Sequence, residues 1–238
     1  MVVLRVKQGR IKKKRHESLK ILPKDLAVEI FAKVASHSIA DICKVKLCCK
    51  EFLRAAEDNY VYQHASMDKF ALVPLQWFTK KKESSFLNRC RESGNLEILY
   101  REGMVQYFSS LRVKLGLENL KKAALKGHGE AKYVYCMLLM CGEDEEQRNF
   151  GFDLFCSLKT STYVRRCRER VKSFIKSMWM NNPVARKHHL SLCHSSTCKL
   201  QKLSKRLSSW VEDEDDGITC EYCNGDYELN IFCKIFRV

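Results

Sequence analysis

The chain has 238 residues, enough for one large or two small cores, and 45% of them are hydrophobic, as in a globular protein. Three prolines and ten glycines leave little room for long linkers and favour helix over a turn-rich β architecture. The formal charge of +15 creates a field that favours acidic partners, whether nucleic acid, a membrane surface or an acidic protein, without choosing among them.

The first twenty residues hold eight Lys or Arg against one Glu and lack the apolar core of a secretory signal. The longest apolar run, Tyr133 to Cys141, is far short of the roughly 20 residues that span a bilayer. The expectation is a soluble protein of a reducing compartment, nucleus and/or cytoplasm, with no membrane partner. There, thirteen cysteines serve as buried small hydrophobes or metal ligands rather than as disulfides. Residues 1–17, with Lys7, Arg10, Lys12, Lys13, Lys14 and Arg15, read as a disordered basic tail. Such a cluster suits nuclear import, nucleic acid, or no partner at all.

Ordered structure is expected from Leu22-Pro23, since proline suits the first turn of a helix. Leu26, Ile30 and Val34 then recur every four residues, with Ala27 and Phe31 beside them, as a helical apolar stripe. Ser38 precedes Asp41 by three residues, a capping arrangement, and a second stripe runs through Ile42, Val45, Cys49, Phe52 and Ala56. Tyr60 to Phe70 allows a third short helix. The spelling Leu22-Pro23-x-x-Leu26-x-x-x-Ile30, Val34-Ala35, Lys46-x-x-Cys49-Lys50-x-Phe52 resembles an F-box, and its continuation through Val61-Tyr62 and Trp77 is most similar to plant F-box proteins. The resemblance implies an F-box helical bundle over 18–70 whose Leu22, Pro23, Leu26 and Ile30 face the Skp-type adaptor of a cullin ubiquitin ligase. An F-box is too short to bury both faces of its helices alone, so exposed apolar positions make a partner site. Phe31 and Val34 are equally compatible with that face or with the domain's own core.

Aligning Gly94 with Gly127 superposes Glu97 on Glu130, Tyr100 on Tyr133 and Met104 on Met137, a period of 33 residues. The second copy, Ala123-Ala124-x-x-Gly127-His128-x-x-Ala131-x-Tyr133, resembles SEL-type repeats, relatives of the tetratricopeptide repeat. The resemblance implies α/α repeats over 84–165, small residues letting helices approach and Gly127 closing the first helix. No third copy is visible. Two repeats need a neighbour to cover their faces, either the F-box side or the C-terminal segment. A basic helix is expected over 166–187, and the densest internal basic patch, Arg165, Arg166, Arg168, Arg170 and Lys172, reads as one solvated helix face.

From residue 188 a small Cys-rich segment completes this mostly α chain. It reads His188-His189-x-x-x-Cys193-His194-x-x-x-Cys198, an acidic run Glu212 to Asp216, then Cys220-x-x-Cys223. Two cysteines two apart grip one metal from a tight turn, a second pair completes a tetrahedral thiolate site, and sulfur ligands select zinc. The candidate ligands are Cys193, Cys198, Cys220 and Cys223, with His189 or His194 able to replace a member of the first pair. Cys233, within Ile231-Phe232-Cys233, is expected in the core. A cysteine-rich C-terminus is common in plant F-box proteins, but the ligand order of a RING-type ligase site is absent.

No phosphate-cradling loop, nucleophile elbow or paired metal-binding His motif appears, so no enzyme is expected. The F-box resemblance implies the substrate-recognition adaptor subunit of a Skp–cullin–F-box ubiquitin ligase, holding a protein target for ubiquitination. The alternative, from charge and tail, is a basic zinc-containing nucleic-acid binder, although no groove-entering module stands out.

Overall fold

A computed structural model of the chain describes residues 22–73, 81–158, 160–184, 191–193 and 220–236. Among these residues all regular structure is helical, arranged as two compact units. The first comprises residues 1–66 with 88–95 and the second 67–87 with 96–238. The expected basic tail and Trp77 lie outside the described residues.

In the first unit, α1 (Lys24–His37) starts directly after Pro23, whose carbonyl accepts from Ala27 N at 3.1 Å. Its buried stripe is Ala27, Val28, Phe31, Ala32 and Ala35, offset by one residue from the stripe that Leu26 and Ile30 suggest. Phe31 therefore belongs to the core, edge-on to Phe52 with centroids 5.1 Å apart. Ser38 Oγ accepts from Asp41 N at 3.2 Å and opens α2 (Ile39–Lys46). The second stripe is not one helix. It breaks at Leu47–Cys49, where Cys49 turns extended and its Sγ accepts from Phe52 N at 3.4 Å to open α3 (Lys50–Ala56). A thiol acting as N-cap leaves no Ser, Thr, Asp or Asn to mark the break. The third short helix is also shorter than expected: α4 spans Asn59–Gln63, capped by Asp58, and by Ser66 the chain bonds back to Ala35. Lys46 and Arg89 both lie over the Tyr62 ring, and Glu57 accepts from Lys46 at 2.7 Å and from Tyr62 OH at 2.9 Å.

The 33-residue period appears as a repeated turn. Helix α5 (Lys81–Glu92) ends at Gly94 and α7 (Val113–Leu125) at Gly127, with φ of 78° and 98°. In each, the N–H after the glycine reaches back to the helix: Asn95 to Cys90 O and His128 to Ala123 O, both 3.0 Å. This paired-bond helix end needs a left-handed residue, which only glycine adopts without a Cβ penalty. The helices that follow are α6 (Leu96–Met104) and α8 (Gly129–Met140), and they bury equivalent residues, Tyr100 with Tyr133 and Met104 with Met137.

A third helix pair follows that the sequence did not display, α9 (Glu145–Cys156) and α10 (Ser161–Lys176). Its turn is closed by a Thr160 N-cap instead of glycine, which removes the signature. The basic helix expected over 166–187 is this α10, so a boundary at 165/166 falls inside one helix. Nor is it one solvated face: Val164, Cys167, Val171 and Phe174 are buried, and Arg168 and Arg170 pair with carboxylates inside the unit. The cover for the repeats comes from the C-terminal segment. Helix α11 (Glu221–Lys234) lays Leu229 and Phe232 into the repeat core, and Phe236 just beyond it stacks on Phe108 at 5.0 Å.

A partly buried ionic cluster joins α6, α8 and α10. Glu97 accepts from Arg101 Nε and from His128 Nε2, both at 2.8 Å, while Arg170 reaches Glu130 at 2.8 Å. His128 Nδ1 accepts from Ala131 N, so Nε2 is the nitrogen that donates to Glu97. Burial opposes ionisation of Glu97, but the His128 hydrogen bond and the Arg101 charge outweigh it and hold its pKa at about 2, against 4.5 ordinarily. A depressed carboxylate stabilises the fold above its unfolded pKa, and that stability is lost as pH falls from 4.5 towards about 2. Glu97→Gln should cost about 3 kcal/mol at neutral pH, read by denaturant unfolding, with the variant and parent stabilities converging across that acid window.

Candidate functional site

Two arrangements stand out, one in each unit. On α1, the offset of the buried stripe leaves a second apolar line facing water. Leu26 is 45% and Ile30 42% exposed, Pro23 is exposed and Leu22 is half-buried. Leu26 and Ile30 therefore lie on the side of α1 away from Phe31 and Ala35, while Leu22 and Pro23 precede the helix. Spacing of four residues keeps Leu26 and Ile30 on one line of the helix. Val34, left between two faces by the sequence, is half-buried.

In the second unit, Cys193, Cys220 and Cys223 converge, their sulfur atoms all within 4.8 Å of one another. Tetrahedral thiolates on a metal with bonds of about 2.3 Å sit about 3.8 Å apart, so a small inward movement brings these three to ligand distance. This donor set, three soft sulfurs from two segments, could hold a metal ion. Cys198 and the candidate substitutes His189 and His194 lie outside the described residues.

The cysteines meet for local reasons. Cys220 is extended at the N-cap of α11 and Cys223 lies in the helix's first turn, so the pair is held by a helix start and not by the expected tight turn. One turn further, Asp226 accepts from Ser191 Oγ at 2.7 Å, Leu192 N at 3.0 Å and Cys193 N at 3.1 Å. That carboxylate fixes residues 191–193 against the helix and delivers Cys193. Gly225 makes room for them: a Cβ there would lie 3.0 Å from Leu192 Cδ1 and from Phe152 Cε2. Tyr222 stacks on Phe152 at 4.6 Å and anchors the same turn to α9. Sequence reasoning missed Asp226, Gly225 and Ser191, because Asn224-Gly225-Asp226 reads as turn punctuation rather than as part of a helix.

Other cysteines stand apart. Cys233 is buried in the core as expected, with its sulfur 3.7 Å from that of Cys141. Cys156, in a stretch that reads as apolar helix, is exposed at the end of α9. Among the described residues no helix is long and apolar enough to cross a membrane.

The model of the plant tetratrico peptide repeats family matches residues 70–176, the stretch containing α5 to α10. Among known proteins, an Arabidopsis thaliana F-box protein is 30% identical over 155 residues, covering 65% of this chain and 93% of the relative. It belongs to the plant F-box proteins. A second Arabidopsis protein named for the F-box family is 36% identical over 138 residues, or 58% of this chain and 45% of its own length. A third is 29% identical over 123 residues, 51% of this chain and 32% of its own. The chain thus spans less than half the length of these last two relatives. No solved structure matches the chain.

In this F-box protein Asp226 holds residues 191–193, and with them Cys193, against α11. Asp226→Ala should remove about 2 kcal/mol or more of local stability by taking the acceptor from the Leu192 and Cys193 amides. Hydrogen exchange should then report the Leu192 and Cys193 amides opening more than about tenfold faster, with the Tyr133 and Met137 amides unchanged.

Proposed function

We propose that the chain is the substrate-recognition adaptor subunit of a Skp–cullin–F-box ubiquitin ligase. The observation that carries the reading is the exposure of Leu26 and Ile30 on the first helix of an F-box protein, with exposed Pro23 and half-buried Leu22 just ahead of it. A row of apolar side chains that its own bundle leaves uncovered suits a helix-in-groove partner, here the Skp-type adaptor. Residues 18–70 act as the docking module, and the helical repeats hold a protein target. The chain is no enzyme: ubiquitin transfer belongs to the assembled ligase, and this subunit contributes proximity. Its place of action is the nucleus and/or the cytoplasm. The nucleic-acid reading loses support from α10, where Arg168 and Arg170 are committed to Glu228, Glu97 and Glu130.

Leu26→Asp with Ile30→Asp should abolish capture of a Skp-type adaptor. Each apolar anchor is worth roughly 1.5–3 kcal/mol, so the loss exceeds tenfold, while helical content stays unchanged because both side chains face water. Leu22→Ala with Pro23→Ala should act in the same direction, and undiminished capture by both double variants would sink the assignment.

The metal is zinc in a structural role, held by Cys193, Cys220 and Cys223, with Cys198 proposed as the fourth ligand. Three cysteine sulfurs near tetrahedral reach favour it. Protein purified without chelator should carry about one zinc per chain. Cys223→Ser should lose the metal and loosen α11, because metal binding contributes to folding, whereas Cys156→Ser should keep it. Elemental analysis decides between these outcomes.

A further inference from the structure

Large apolar side chains left in water by the second unit concentrate at residues 111–125, with Leu111 63% exposed and Val113, Leu115 and Leu125 also exposed. Leu111 has φ of 55°, and among the described residues it is the only non-glycine with positive φ. In that region the Cβ of a leucine crowds its own carbonyl, a cost that glycine or asparagine avoids. The fold therefore keeps a strained residue whose side chain contributes little to its own core. A π-helical turn, Val105–Ser109, leads into it, and such turns occur frequently at functional positions.

Trp179, more exposed than any tyrosine described, lies just before a segment that is tethered to the turn preceding Leu111. It is 81% exposed, past the end of α10. The N–H groups of Asn181 and Asn182 both donate to Phe108 O, at 2.9 and 3.0 Å. Their side-chain amides donate to Ser109 O and Tyr107 O. Residues 181–182 are thereby fastened to the turn from which Leu111 projects. Trp179 lies two residues before one end of this contact and Leu111 two residues after the other. Around them Arg112, Lys114, Lys121, Lys122 and Lys126 are exposed, with Glu118 the one acid in that stretch of α7 and its flanks.

We propose that the Leu111–Trp179 surface and the outer face of α7 dock an apolar segment flanked by acidic residues on the protein target. Exposed tryptophan and leucine supply the desolvated anchors that dominate such interfaces, and the cationic rim selects an acidic flank over a basic one. Strain kept where it serves no packing is consistent with a binding role. The inference rests on the reading of the repeats as the target-holding part, and names the place and the chemistry of that contact.

The test selects binders to the full chain from a displayed library of random peptides, then measures one synthetic selected peptide by fluorescence anisotropy. The expected consensus sets one or two large apolar residues beside Asp or Glu, with affinity falling as salt rises. Trp179→Ala and Leu111→Asn should each weaken the peptide at least about tenfold. Leu111→Asn should also hold or raise the unfolding midpoint, since asparagine tolerates the left-handed backbone; a merely structural leucine would lower it. The proposal is overturned by an empty selection, by a consensus without acids, or by a peptide indifferent to both variants. It is equally overturned if the variants abolish only binding to phosphatidylserine vesicles, or only self-association of the chain. Skp-type adaptor capture is run on the same variants. Loss of peptide binding with capture intact places the effect on this surface, whereas failed capture by the parent chain with peptide binding intact overturns the adaptor reading alone.

Discussion

One buried carboxylate governs the second unit. Glu228, 2% exposed on α11, accepts from Tyr133 OH on α8 at 2.6 Å and is gripped through both oxygens by Arg168 on α10. Burial and the neighbouring Glu228 push the Tyr133 hydroxyl well above its usual pKa, so it remains a donor. Taking one partner from such a group leaves an uncompensated charge, which costs several kcal/mol. Three helices are thus held in one relation by a single side chain. The N-terminal end of α11 then carries Cys220 and Cys223 to Cys193, and its far end brings Phe236 against Phe108. The candidate metal centre and the turn before Leu111 are thus both tied to the same helix.

The net charge of +15 suggests an outward-facing protein, but several cations are internal fastenings. Arg101 donates to the carbonyls of Met67, Phe70 and Ala71 while holding Glu97, and Arg170 bridges Glu97 and Glu130. These charges satisfy backbone oxygens or carboxylates that burial would otherwise leave unpaired. What remains outside is uneven, and on α7 it collects beside leucines. Charge counted from composition speaks to solubility and encounter, whereas recognition depends on which cations the fold leaves in water.

Helical class, the Leu-Pro helix start and the 33-residue period were legible because each rests on local chemistry: fixed proline φ, period-four apolar spacing, and glycine where the backbone turns left-handed. The convergence of Cys193 with Cys220 and Cys223 was legible as residue types at suggestive spacings. Three features were hidden for physical reasons. The break between α2 and α3 uses a cysteine sulfur as its cap. The third helix pair replaces the glycine turn with Thr160 and breaks the periodicity. Asp226 acts on residues about thirty-four positions away, a contact that no window of neighbouring residues contains. Which α1 residues pack inside was left open by the sequence, because Leu26 and Ile30 are as apolar as the core residues beside them and differ only in what covers them.

The two units are interlaced along the chain. Residues 88–95 belong with the first although 67–87, ahead of them, belong with the second. Asn95 makes the point concrete, its amide donating to the carbonyls of Tyr62 and Ala65 from a buried position. The covalent path therefore passes between the units three times, and no single scission yields both intact. A fragment ending at 66 forfeits the Asn95 tether, and one beginning at 67 carries 88–95 with the bonding partners of Asn95 removed. Gene fusion, circular permutation or domain exchange at that junction inherits the same indivisibility, so the pair is best regarded as one heritable cassette.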